Sequence, residues 1–101
     1  MTLWRQIIGC NNRFFARWKE RSPLWWSNAL AGEAGEVCNA VKHLLRGGSR
    51  QRKVTPADVA EECVDTLIYM VLLCESLGIT ERDFSVIASI KLNRIGRRID
   101  P

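Results

Sequence analysis

Apolar positions recur at helical spacing along nearly the whole chain. Trp4, Ile7, Ile8, Phe14, Phe15 and Trp18 fall three, four or seven residues apart, which predicts a first helix over residues 2–21. Ser22 and Pro23 interrupt it and can open a second, with Ser as N-cap and Pro in the first helical position. Leu30, Val37, Val41 and Leu44 carry the apolar stripe of this second helix to about residue 46, where Gly47 and Gly48 stop it. A short, polar, basic loop follows over residues 48–54. Thr55, Pro56 and Asp58 form a helix start, and the third helix runs to residue 77 with Gly78 as its C′ residue. Thr80, Glu81 and Asp83 start the fourth, which ends near residue 98 with basic residues suited to the C-terminal dipole. No strand pattern, repeat or low-complexity segment interrupts the series. Short connections favour antiparallel neighbours, so the expected fold is all-α, an up-down four-helix bundle with residues 1–101 as one domain. The third helix is apolar nearly all round over residues 63–74, more than one small bundle buries, so a partner subunit, a homodimer or tetramer, is expected to complete it.

Four carboxylates break this pattern. Glu33 sits on the apolar stripe of the second helix and Glu36 at its edge; Glu62 and Asp65 lead directly into the run from Leu67 to Cys74. The spacings E-x-x-E and E-x-x-D put both members of each pair on one helix face, a turn apart. Charged groups on stripes that face a core are paired or bound to metal. Four convergent acids repel one another unless a cation lies between them, so the pattern points to a hard divalent cation, Mg²⁺ first, held between two helices. The alternative is surface salt-bridging, which requires those stripes to face water. Glu61 differs in direction from Glu62 by about 100° and is the weaker candidate.

Charge adds an asymmetry. The net charge is +4, with fifteen Lys and Arg against eleven acids, and setting aside the four site carboxylates leaves a strongly basic body. A basic body around a focused acidic cluster suits a polyanionic ligand arriving with a metal, and also suits weak, non-specific nucleic-acid contact. No apolar run reaches the roughly 18–20 residues of a membrane span, and the N-terminus does not read as a signal peptide. Cys10, Cys38, Cys63 and Cys74 lack metal-site spacing and read as reduced core thiols of a cytoplasmic protein.

The segments G-E-A-G-E-V-C-N-A-V-K-H (residues 32–43), A-E-E-C-V-D-T-L-I-Y-M-V-L-L-C-E-S-L-G-I (residues 60–79) and K-L-N-R (residues 91–94) together resemble the MazG-like nucleotide pyrophosphohydrolases of the all-α NTP pyrophosphatase superfamily. The resemblance covers about residues 24–98 without a large gap. It implies hydrolysis of nucleoside triphosphates to monophosphate and pyrophosphate with Mg²⁺, or Mn²⁺ as a substitute, by water attack on the α-phosphorus. It also implies a house-cleaning role toward non-standard or excess nucleotides, and no specific nucleic-acid binding. It makes Glu33, Glu36, Glu62 and Asp65 the metal site, with Glu33 the candidate to orient or deprotonate the water. Some members carry a further glutamate on the second helix where this chain has Gly32 and Asn39, which leaves the number of metal ions open. Lys91 and Asn93, with Arg94 beside them, are expected to meet phosphates or sugar.

Other residues have plainer readings. Phe14, Phe15, Trp18, Trp25 and Trp26 are core at helical spacing, with Trp18 or Trp25 the candidates to line a base pocket. His43 reads as a polar helix residue, and Arg46, Arg50, Arg52 and Lys53 as a solvated turn. Two rival functions remain in view. A di-iron carboxylate bundle needs E-x-x-H motifs, and Asn39 and Asp65 stand where those histidines would be. A non-catalytic basic binding module, for nucleic acid or protein, or a silent homologue retaining the metal site, accounts for the charge and predicts no turnover.

Overall fold

The computed structural model describes residues 1–47 and 53–99, and among them every regular element is helical. Thr2 caps α1 (Leu3–Phe14), its side chain accepting from the Arg5 amide at 3.2 Å. Ser22 caps α2 (Pro23–Leu45) with Pro at the start. Thr55 and Asp58 form a reciprocal capping box on α3 (Pro56–Ser76): the Thr55 amide donates to Asp58 Oδ2 at 2.8 Å and the Asp58 amide donates to Thr55 Oγ1 at 3.4 Å. Thr80 and Asp83 repeat that exchange at the start of α4 (Glu81–Ile99). Gly47 and Gly78 end α2 and α3 in left-handed backbone, with φ of 83° and 75°. Gly48 and the loop arginines Arg50 and Arg52 lie outside the described residues.

The helix expected over residues 2–21 is divided. The chain leaves α geometry at Phe15 (φ −136°, ψ 53°) and continues as a 3-10 turn, Ala16–Glu20. The division has a packing reason. It brings the Trp18 indole onto Trp26, edge to face at 6.4 Å, and lets Trp18 Nε1 donate to Asn12 Oδ1 at 2.9 Å. In a continuous helix six residues advance about 9 Å along the axis, too far for that bond.

Helices α2 and α3 form the central pair. Trp26 packs on Tyr69 at 5.8 Å, while Glu33 meets Glu62 and Asp65, so the two run antiparallel. The buried core of Ile7, Trp18, Trp26, Val71 and Leu72 lies at one end of this hairpin, where α1 and the 3-10 turn cover it. The carboxylates lie midway along both helices, beyond the buried core, where Glu33 and Glu62 are half-buried and Asp65 and Glu36 exposed. Two expectations are corrected. Of the aromatics read as core, Trp18 and Trp26 are buried, whereas Phe14, Phe15 and Trp25 are exposed. Cys74 is buried, but Cys10, Cys38 and Cys63 are exposed free thiols, so the cysteines are not a shared core set. Burial also pushes the Cys74 thiol up, with the Glu75 charge adding to it.

Helix α4 leaves α3 at 110°. Among the described residues its first turn is tied down by Trp4 against Phe84 at 5.4 Å and by Thr2 Oγ1 donating to Glu81 at 3.1 Å. It packs along neither α2 nor α3 and leaves Phe84, Val86, Ile87, Ile90, Leu92 and Ile95 exposed. No single helix among the described residues is long and apolar enough to cross a membrane.

Candidate metal centre and adjoining aromatic cleft

Three of the four carboxylates converge. Glu33 from α2 and Glu62 and Asp65 from α3 offer oxygens that all lie within 4.8 Å of one another. The three-residue spacing on α3 and the antiparallel register with α2 produce this meeting. The depth differs from the sequence reading: Glu33 and Glu62 are half-buried, whereas Asp65 and Glu36 are exposed. The apolar stripes remain, but the half of the hairpin that bears these acids is left open to solvent by α1. Glu36 stands outside the convergent three, yet its charge is felt there. Partial desolvation, then Asp65, Glu36, Glu33 and Glu61, hold the Glu62 carboxyl above its ordinary range.

The donor set suits a hard cation. Opposed ligands of Mg²⁺ lie about 4.0–4.2 Å apart and those of Ca²⁺ about 4.6–5.2 Å, twice their metal–oxygen distances. Oxygens that all lie within 4.8 Å of one another are spaced on the scale of either ion's ligand shell. The repulsion that raises Glu62 is what a bound cation removes.

A stability prediction follows, with its sign set by linkage. A carboxyl raised in the folded state holds its proton more firmly there than in the unfolded chain, so this group costs stability as pH rises through and above the ordinary glutamate range. Acidification toward pH 5 should accordingly help the metal-free protein at this site. Mg²⁺ at pH 7.5 should raise the melting temperature by several degrees, and the rise should shrink as pH falls toward the ordinary glutamate range, where protons compete for the same oxygens. Glu62→Gln should melt no lower than wild type without metal and gain nothing from Mg²⁺. Equal Mg²⁺ responses in both proteins would place the cation elsewhere.

Asp65 also borders a cleft of about 550 Å³ between α1, the 3-10 turn and the α2–α3 pair. Trp18 and Trp25, both candidates for a base pocket, line it together with Phe15, Trp26 and Tyr69. Arg17 and Arg21 stand at the same cleft, Arg21 with its guanidinium 3.9 Å above the Trp25 ring. Trp18 serves the core as well as the cleft wall. Sequence reading passed over Asn11, Tyr69 and these arginines. Asn11 carried a legible signal: it lies one turn beyond Ile7 and Ile8 on the apolar stripe of α1, a polar residue where the pattern asks for an apolar one.

The cations of the last helix are not brought to this centre within one chain. Lys91, Asn93 and Arg94 are exposed on the distal half of α4, which diverges from the carboxylate pair. His43 is half-buried on α2 and belongs to no metal-ligating cluster among the described residues. The arrangement thus offers an open acidic triad for a cation, a cleft for a planar ring, and Asp65 common to both. Searches against protein-family models, curated proteins and solved structures found no match to this chain.

Proposed function

We propose that the protein is a Mg²⁺-dependent nucleoside triphosphate pyrophosphohydrolase of the MazG-like kind, with Mn²⁺ able to substitute. The observation that carries this reading is the adjacency of the acidic triad to the aromatic cleft through Asp65. A triphosphate bound with a cation and a planar base needs that pair of sites side by side. Held by Glu33, Glu62 and Asp65, the cation would neutralise phosphate charge and acidify the attacking water. The chain's own residues supply positioning. The cleft aromatics seat the base, and Arg17 or Arg21 meets phosphate charge at the rim. Glu33 orients the water and takes its proton as the new O–P bond forms at the α-phosphorus and the bond to the leaving pyrophosphate breaks.

In this reading a second copy completes the four-helix bundle, giving a homodimer or tetramer, and brings Lys91, Asn93 and Arg94 of α4 toward the triphosphate. The exposed apolar residues of α4 support it. Four free thiols suit a cytoplasmic setting. Nucleotide house-cleaning is the role proposed by analogy.

The rival reading, a non-catalytic basic module or a silent homologue, draws on the solvent-exposed Lys91 and Arg94 and on the openness of the triad. A panel of NTPs, dNTPs and modified nucleotides, incubated with and without Mg²⁺, separates the two. The expected products are monophosphate and pyrophosphate in equal amounts, formed only with metal. Orthophosphate would place the cut at another bond, and no turnover across the panel would favour the binding module.

A further inference from the structure

The corner where α1 passes through the 3-10 turn into α2 interleaves cations with aromatic rings. Residues 13–25 hold Arg13, Arg17, Lys19 and Arg21 against one acid, Glu20, and Glu20 pairs with Arg17 at 3.1 Å. The other three cations each lie over a ring: Arg13 at 5.1 Å from the Phe14 centroid, Lys19 at 5.8 Å from Trp18 and Arg21 at 3.9 Å from Trp25. Among the described residues none of the three has an acid partner. Three rings at this corner lie outside the core. Phe14 and Phe15 are 64 % and 65 % exposed, and Trp25 is 39 % exposed. All three line the cleft of about 550 Å³, with Arg17 and Arg21 beside them. Exposed aromatic side chains gathered in one place mark a binding surface, and unpaired cations set among them give it a sign.

We propose that this corner binds single-stranded nucleic acid without sequence preference, bases stacking on Phe14, Phe15 and Trp25 while Arg13, Lys19 and Arg21 meet the phosphates. Every base has a π-face, so stacking on aromatic side chains tolerates any sequence. Guanidinium groups stack on bases as well as pairing with phosphate. A duplex keeps its bases stacked on one another and offers only its phosphates. An anionic bilayer would meet the same charge and also take up Phe and Trp, but it presents a flat surface. Trp25 lies in the wall of a cleft, which an unstacked base can enter and a bilayer cannot. The proposal goes beyond triphosphate hydrolysis in what it needs: neither a metal nor the acidic triad takes part, although Asp65 borders the same cleft.

Fluorescence anisotropy of the full chain with labelled strands of about 15 nucleotides tests it, in EDTA so that no metal-dependent cleavage intervenes. An all-thymine and a mixed-sequence strand should bind within about threefold of one another, and at least about tenfold more tightly than the mixed-sequence duplex. Log affinity should fall against log salt with a slope of about −2, as for three cations on a single strand. Trp25→Leu should weaken binding about fivefold or more, and Trp25→Phe, which keeps a ring, should recover most of that loss. Arg13→Ala with Arg21→Ala should lower affinity about tenfold or more and flatten the salt slope. Arg97→Ala with Arg98→Ala removes the same charge from α4 and should change affinity by less than about twofold. Equal losses from the two arginine pairs, equal losses from Trp25→Leu and Trp25→Phe, or equal binding of duplex would overturn the proposal. So would capture on vesicles of anionic lipid without strand binding, or no strand binding at all. Those results leave the hydrolase reading standing, and failure of the nucleotide panel leaves this one standing.

Discussion

Glu62→Gln and Asp65→Asn should each lower pyrophosphate release by about 100-fold or more in kcat/KM, without loss of helical content, if the chain is the proposed hydrolase. Both substitutions keep shape and remove a charge from a cluster in which the charges now repel. The carboxylates stand midway along the α2–α3 hairpin and outside the buried core around Trp26, Val71 and Leu72. Activity should therefore fall while stability holds or improves, a combination that a folding defect does not produce. The magnitude reflects loss of a hard anionic ligand and of the transition-state charge it organises. Glu33→Gln should lose at least as much, since Glu33 both converges with the other two and faces the attacking water in the proposed mechanism. Glu36→Gln separates sequence from structure. The E-x-x-E spacing makes Glu36 an equal ligand, whereas the geometry leaves it outside the convergent three and acting on Glu62 through its charge alone. The geometry predicts a loss for Glu36→Gln clearly smaller than for Glu33→Gln, measured side by side at saturating Mg²⁺. Equal losses would show that the bound state draws Glu36 in.

The parts of this molecule that were legible in its sequence are those governed by local rules. Ser22-Pro23, Thr55-Pro56 with Asp58, and Thr80 with Asp83 mark helix starts because each satisfies amides that a helix cannot satisfy itself, and each start is where those residues place it. Polar residues on apolar stripes marked the centre, since i, i+3 spacing and antiparallel register bring Glu33, Glu62 and Asp65 together whatever the loop does. Depth was not legible. A stripe says that one face is apolar but not which length of it a neighbour covers, so the short reach of α1 left Asp65, Glu36 and Cys38 in solvent. The division at Phe15 was hidden as well, because Trp18 keeps helical spacing with Phe14 while its packing on Trp26 and its bond to Asn12 require the chain to leave the helix. Asn11 obeyed the same logic as the carboxylates and was visible in principle; its lack of charge made it easy to pass as a tolerated polar substitution.

Helix α4 leads to the remaining large effect: the protein should self-associate at micromolar concentration, and Ile87→Asp should return it to monomer. Ile87 is 61 % and Leu92 66 % exposed on a helix that leaves the body of the chain at 110°. Burying such a side chain fully is worth about 1.5–3 kcal/mol, and α4 offers several at once, with Phe84, Val86, Ile90 and Ile95 beside them. A carboxylate at position 87 would have to be desolvated without a partner, so association should weaken about 100-fold or more in sedimentation or light-scattering measurements. A monomeric wild type, or an Ile87→Asp protein of unchanged mass, would remove α4 from any interface. Activity adds a second reading. Lys91 lies four residues beyond Ile87, on the same helix face one turn on, and Arg94 a further turn along. An interface that covers Ile87 therefore carries these cations with it, toward whatever the partner presents. If the partner presents its carboxylate centre, Ile87→Asp and Lys91→Ala should lose activity together, the first through assembly and the second with assembly intact. Full activity in a monomeric Ile87→Asp protein would instead show that one chain's triad and cleft suffice, and that the charge needed by the triphosphate comes from Arg17 and Arg21 at the rim.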